Sequence, residues 1–245
     1  MFRYLIALVF LASFSSLKAQ EILASELLDK AIAYHDPNDL WDVFQGKLFI
    51  TMSYPDGRER LSEVEIDLPK EYFKLISTND DIVIEQTLVK GDCILKLNGS
   101  TSISDEDIKT HRLTCERTQS MKNYYTYLYG LPMKLKDPGT HLDSVVQTKN
   151  FKGKEYLALK VTYDESVGND VWYFYFDPDN YAMEVYQFFH DESKNDGEYI
   201  ILSELENVAR IKMPKIRAWY YNSDDKHLGT DVLTKAAPLT QVNGY

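Results

Sequence analysis

The residues of this chain with the means to do chemistry come as a few short clusters. His35-Asp36 sets an imidazole beside a carboxylate, the pairing that general acid and base catalysis uses. Adjacent residues seldom face each other, however, and a histidine closing a helix is also an ordinary cap. His141 with Asp143, and His190 with Asp191 and Glu192, carry the donor atoms of a divalent metal site. Both groups fall in turn-like segments where solvated charge is common, so no metal is assigned. Asp177, Asp179 and Asn180 have the composition of a calcium loop but lack the EF-hand glycine and distal glutamate, and a hairpin turn accounts for them. The G-x-S-x-G elbow, H-E-x-x-H and the G-x-x-x-x-G-K-[ST] phosphate loop do not occur. Among 38 acidic residues some two carboxylates lie at glycosidase distance in any fold, so a carboxylate hydrolase has no particular residues to rest on. No catalytic residue and no cofactor is assigned.

Cys93 and Cys115 are the only cysteines, and their spacing matches neither a CxxC redox pair nor a zinc knuckle. In an oxidising compartment a bond between them closes a loop of roughly 20 residues; two buried thiols are the alternative.

The compartment is suggested by residues 1–19. Arg3 supplies a positive start, Leu5 to Phe14 an apolar run, and Leu17-Lys18-Ala19 a small residue for cleavage. The run of about 10 residues is shorter than the roughly 17 to 25 that a membrane-spanning helix needs, so the expectation is an export leader and not an integral membrane protein. Cleavage before Gln20 leaves 226 of the 245 residues, with 25 basic against 38 acidic side chains and a net charge of −13. A first mature cysteine for lipid attachment is lacking. The expected location is the periplasm or the exterior, and the acidic balance argues against nucleic acid as a partner.

The elements follow from periodicity. Leu27, Leu28, Ala31 and Tyr34 recur at helical intervals from Ser25 to Tyr34, stopped by Pro37. Leu48, Ile50, Met52 and Tyr54 alternate, Pro55-Asp56-Gly57 turns, and Val64, Ile66 and Leu68 alternate again. Further strands read over 72–77, 82–90 and 93–97. Ser104 with Asp107 forms a capping box that opens a helix from Asp105 to Tyr129, its apolar side marked by Ile108, Met121, Tyr125 and Leu128. Strands resume over 144–150, 157–163, 171–176, 182–190, 199–205, 209–213 and 216–221, and the tail after Asp231 is expected to be less ordered. The fold class is mainly β (α+β), with about eleven antiparallel strands and one or two helices. No repeat or linker interrupts them, so residues 20–245 are expected to form one domain around one continuous sheet.

The aromatic hairpin Trp172-Tyr173-Phe174-Tyr175-Phe176-Asp177-Pro178, continuing into Met183-Glu184-Val185, resembles the strand, turn and strand of the periplasmic lipoprotein-carrier (LolA/LppX-like) fold. Ala33-Tyr34-His35-Asp36-Pro37 with Trp41, Gly130-Leu131-Pro132-Met133-Lys134-Leu135, and Trp219-Tyr220-Tyr221-Asn222 leading to Gly229-Thr230-Asp231 resemble an uncharacterised secreted family of Bacteroidetes-type bacteria. The carrier resemblance implies a strongly curved, incomplete barrel that wraps a helix and shelters an apolar cavity. Its lining would be Trp172, Phe174, Phe176, Met183, Val185, Leu157, Leu159 and Val161, under a lid of Met121, Tyr125 and Leu128. The same stripes serve equally as packed core. The implied partner is an apolar ligand or a lipidated protein. An envelope protein bound without any cavity, and a carboxylate hydrolase, are the alternatives.

Overall fold

The computed structural model describes residues 22–239, so the leader assigned to residues 1–19 lies outside it. Alternation builds the first half of the sheet. In β1 (Gln45–Ser53), β2 (Glu59–Asp67) and β3 (Tyr72–Asn79), Leu48, Ile50, Val64, Ile66, Phe73 and Leu75 turn to one face and are at most 2% exposed. Directly paired residues share a face, so Leu48 stacks on Val64 and Ile66 on Phe73. The other face carries charge, with Lys47 bridging Glu63 at 2.6 Å and Glu65 at 3.1 Å. β4 (Ile82–Val89) and β5 (Asp92–Leu97) extend this meander to one edge.

The second half comprises β6 (Thr140–Leu142), β7 (Gln147–Phe151), β8 (Lys154–Tyr163), β9 (Val171–Phe176), β10 (Met183–Phe189), β11 (Glu198–Val208), β12 (Ile211–Tyr221) and β13 (His227–Ala237). All pairings are antiparallel, in the order β5-β4-β3-β2-β1-β13-β12-β11-β10-β9-β8-β6, with β7 also on β8; the ends do not meet. The sheet therefore has thirteen strands where the sequence suggested about eleven. The reading from Ser144 to Asn150 covers β7 except Phe151 and misses β6. The two strands expected over 209–213 and 216–221 are one, because Pro214 is accommodated opposite Leu205, beside Glu204 with its φ of 53°. The largest correction is the tail. β13 lies mid-sheet between β1 and β12, and it escaped notice because its inward positions are Gly229 and Asp231 before Leu233, not a run of apolar residues.

Among the described residues three α-helices accompany the sheet. α1 (Ala24–His35) buries Leu27, Leu28 and Ala31 on one side. The helix expected from Asp105 to Tyr129 is two, α2 (Asp105–His111) and α3 (Cys115–Gly130). Ser104 caps α2 as its capping-box pattern suggests, but Arg112 closes it in the left-handed region at φ 52°. Thr114 then caps α3 by accepting from the Arg117 amide at 3.1 Å. The break turns Leu113 into the interior and sets Cys115 against β5, where it is disulfide-bonded to Cys93 with Cα atoms 5.9 Å apart.

Candidate functional site

α3 is tied to the inward face of the sheet at widely separated strands. Cys115 bonds Cys93 on β5; Gln86 of β4 donates from Nε2 to Thr118 Oγ1 at 3.1 Å; the Tyr125 hydroxyl donates to Ser62 Oγ of β2 at 3.3 Å; Arg217 of β12 donates from Nη2 to the Leu128 carbonyl at 3.3 Å. From β5 to β12 is six strand spacings, roughly 29 Å at about 4.8 Å each. Cys115 and Leu128 are only about 20 Å apart along the helix axis. The sheet has to curve around α3 for both ties to form, and the space on the far side of the helix is a consequence of that curvature.

A cavity of about 710 Å³ opens there, bounded by the C-terminal half of α3, residues 134–140, the 163–170 segment and strands β9, β10 and β12. Its apolar surface is aromatic: Tyr124 and Tyr127 from α3, Tyr163, Trp172, Phe188 and Trp219 from the sheet, with Leu128. The rings contact one another in two groups, Phe188 to Trp172 at 4.9 Å with Trp172 to Tyr127 at 5.8 Å, and Tyr124 to Trp219 at 6.5 Å between centroids, which Tyr186 joins behind the wall. The hydroxyls of Tyr127 and Tyr163 hydrogen-bond each other at the wall. Burial raises both phenols, Tyr163 to about 12, so both are neutral at physiological pH. Charges stay at the rim, where Lys134 pairs with Asp137, and Asp170 accepts from His190 Nδ1 at 2.6 Å and raises the His190 pKa.

Of the eleven residues that the sequence suggested for lining and lid, Trp172 and Leu128 border this cavity. Phe174, Phe176, Met183, Leu159, Val161 and Tyr125 are buried in the main core, with Leu157 and Met121 half-buried against it. Val185 lies on the opposite face, packed with Tyr156, Tyr173 and Tyr175. The cause is a bulge: Met183 pairs with Phe176 but Val185 pairs with Tyr175, so Glu184 is the extra residue and the alternation inverts after it. Tyr186 consequently faces inward opposite Phe174. Tyr124, Tyr127, Tyr163, Phe188 and Trp219 were missed, because their approach depends on which strands lie under α3; the only local signal is the run of tyrosines at 124, 125, 127 and 129.

The polar clusters are accounted for locally. His35 and Asp36 diverge. His35 is fully buried, its Nδ1 donating to the Lys212 carbonyl at 2.7 Å and its Nε2 accepting from the Met183 amide at 3.0 Å. Asp36 Oδ2 accepts from the Leu40 and Trp41 amides at 2.7 and 2.8 Å. The 3-10 turn so fixed, Trp41–Val43, lays Trp41 against Gly130, where an added Cβ would lie 2.3 Å from the indole. His141 pairs with Asp164 at 2.7 Å and not with Asp143, which accepts from the Val145 amide. Asp191 caps the turn at Glu192–Lys194, and Glu192 accepts from Lys160 and Tyr173 at 2.7 Å each. Asp177 accepts from the Asp179 and Asn180 amides and from Lys154, as a hairpin turn requires. Among the described residues no three His, Cys, Asp or Glu side chains form a metal-binding group, and no helix is long and apolar enough to cross a membrane.

Fold and site together define an open antiparallel half barrel with a helix across its inward face and an aromatic cavity beside that helix. The chain belongs to the family of unknown function DUF6503, whose model matches residues 2–236. Among solved structures it is similar to a LolA superfamily protein from Nitrosomonas europaea, with 14% identity, a TM-score of 0.53, and 89% of this chain and 94% of that one covered. Weaker likenesses are to a putative outer membrane lipoprotein-sorting protein domain from Vibrio parahaemolyticus (10% identity, TM-score 0.47, 89% and 94% covered) and a DUF1329 family protein from Desulfovibrio piger (9%, 0.45, 91% and 95%). At 14% identity and a TM-score of 0.53, the likeness to the Nitrosomonas europaea protein establishes a LolA-like fold and nothing finer. No curated protein matches the sequence.

Proposed function

We propose that the protein is an exported carrier or binding protein for a lipid, a lipoprotein acyl chain or another apolar ligand of the cell envelope. The observation that carries this reading is the aromatic cavity beside α3, whose volume of about 710 Å³ lies within the roughly 300 to 1,000 Å³ typical of small-molecule sites. An acyl chain entering it gains about 0.8 kcal/mol for each methylene removed from water. The neutral Tyr127–Tyr163 pair lets the wall accept such a chain without burying charge. The leader-like residues 1–19 support export, and the polar clusters, each used in a cap, a turn, an ion pair or, for His35, a tie between strands, favour binding over catalysis.

Native mass spectrometry of protein purified gently from envelope extract tests the proposal. The expected spectrum contains a population carrying a lipid-sized adduct that organic extraction removes. A spectrum of bare chain alone, with a second protein retained stoichiometrically in the same preparation, would instead support an envelope interaction module.

A further inference from the structure

Six buried side-chain polar atoms among the described residues have no hydrogen-bond partner, and five belong to residues that stand together: Arg60 Nε, Tyr129 Oη, Tyr186 Oη, Arg217 Nε and Trp219 Nε1. The ladders place them. Arg60 is opposite Met52, Met52 opposite Asp231, and Asp231 opposite Arg217, so the three charged side chains form one row across β2, β1, β13 and β12. Trp219, two residues beyond Arg217, points to the same face and touches Tyr186 at 6.3 Å between ring centres. Tyr129 descends from α3, with the Arg217 guanidinium 4.0 Å from its ring centre. Arg217, Tyr129 and Tyr186 are at most 2% exposed.

The chemistry of this row is one-sided. Arg60 and Arg217 stand about 14 Å apart at the backbone, with Asp231 between them. Asp231 attracts both without closing an ion pair to either, and Trp219 approaches its carboxylate without completing a hydrogen bond. Two guanidinium groups face one carboxylate, a local excess of one positive charge inside a chain of net charge −11. All five unpartnered atoms can donate, and buried donors are nearly always paired. Trp219, whose indole stacks near Tyr124, is the wall common to this row and the aromatic cavity.

We propose that the row receives the oxyanion headgroup, a carboxylate or a phosphate monoester, of an amphiphile whose apolar chain occupies the cavity. This rests on the carrier reading and adds the class of ligand to it. An oxyanion brings the acceptors that two Nε–H groups, an indole N–H and two phenols require, and it balances the excess charge. A neutral alcohol satisfies one or two of these donors and leaves the charge uncompensated.

The test compares dodecanoate, dodecyl phosphate and dodecanol, three ligands with one chain and different heads, titrated into the full chain by calorimetry. At least one anion is expected to bind about tenfold or more tightly than dodecanol, charge-assisted hydrogen bonds being roughly twice as strong as neutral ones; which anion wins identifies the headgroup. Tyr186→Phe removes a hydroxyl that lies near Arg217 without completing a hydrogen bond, so its unfolding midpoint should change little while the preference for the anion shrinks several-fold. Arg60→Gln should abolish the preference by weakening the anions far more than dodecanol. Dodecanol binding as tightly as both anions, or a preference intact in both variants, overturns the assignment of the row while leaving the cavity reading in place. If none of the three ligands binds, the cavity reading fails and takes this proposal with it.

Discussion

Acid should weaken the folded protein through His35, by an amount that follows from its surroundings. The ring has no solvent contact, and its two nitrogens are committed to opposite roles: Nδ1–H donates to the Lys212 carbonyl of β12 and Nε2 accepts from the Met183 amide of β10. A second proton would put a donor against a donor. Burial chiefly, with the Lys212 charge adding to it against the helping backbone bond, lowers the pKa from 6.5 to about 4. Between those values the unfolded chain binds a proton that the folded ring refuses, so this contribution to stability is complete above pH 6.5 and drains away as the pH falls towards 4. At roughly 1.36 kcal/mol per pH unit the whole loss is about 3 kcal/mol. Urea unfolding from pH 7.5 to pH 4, for the parent and for His35→Asn, isolates it. The variant pays a fixed cost for its lost bonds but lacks the His35 share of the pH slope. Asp177 and Glu192, held low by Lys154 and Lys160, titrate alike in both chains and cancel. Parallel stability curves for the two chains, or a His35 ring that titrates near 6.5 in the folded protein by NMR, would refute the reasoning.

Further outcomes follow from single contacts. Gly130→Ala drives a methyl into Trp41 and should cost about 1 to 3 kcal/mol in thermal or urea unfolding, with Trp41→Phe in the same chain recovering part of it; an unchanged midpoint would deny the close approach. Replacing Cys93 and Cys115 together by serine opens the 22-residue separation and should cost about 3 kcal/mol. Dithiothreitol should destabilise the parent similarly and leave the variant unaffected. At Gly168, on the cavity border, an added Cβ meets nothing within 4 Å, so Gly168→Phe should leave the unfolding midpoint in place while weakening an apolar probe several-fold. Unaltered probe binding would remove residues 166–168 from the border of the binding cavity.

How much of this was legible beforehand depended on whether local pattern and long-range pairing agreed. In β1 to β3 they agree, since Leu48, Ile50, Val64 and Ile66 announce by alternation the face they bury. At β10 they part, because the bulge at Glu184 sends Val185 outward and Tyr186 inward, and nothing in Met183-Glu184-Val185 distinguishes that from a regular strand. β13 hides because its inward face carries Gly229 and Asp231, residues suited to packing Met52 and to the charged row rather than to an apolar core. The break between α2 and α3 turns on Arg112 adopting a conformation that its type does not advertise. Of the suggested lining and lid only Trp172 and Leu128 border the cavity, whereas Tyr127, Tyr163 and Trp219 meet there because α3 crosses strands distant in sequence. His35 drew attention as chemistry, and its use is to join two strands to the end of α1.

The measurement closest to the central claim is energy transfer from the tryptophans to a fluorescent polyene fatty acid titrated into the full chain. Trp172 and Trp219 border the cavity and Trp41 lies away from it, against Phe44 and Gly130. One saturating equivalent, with transfer reduced in Trp172→Phe and preserved in Trp41→Phe, is the expected result. Transfer that never saturates, or that is indifferent to Trp172, would contradict a ligand seated beside α3.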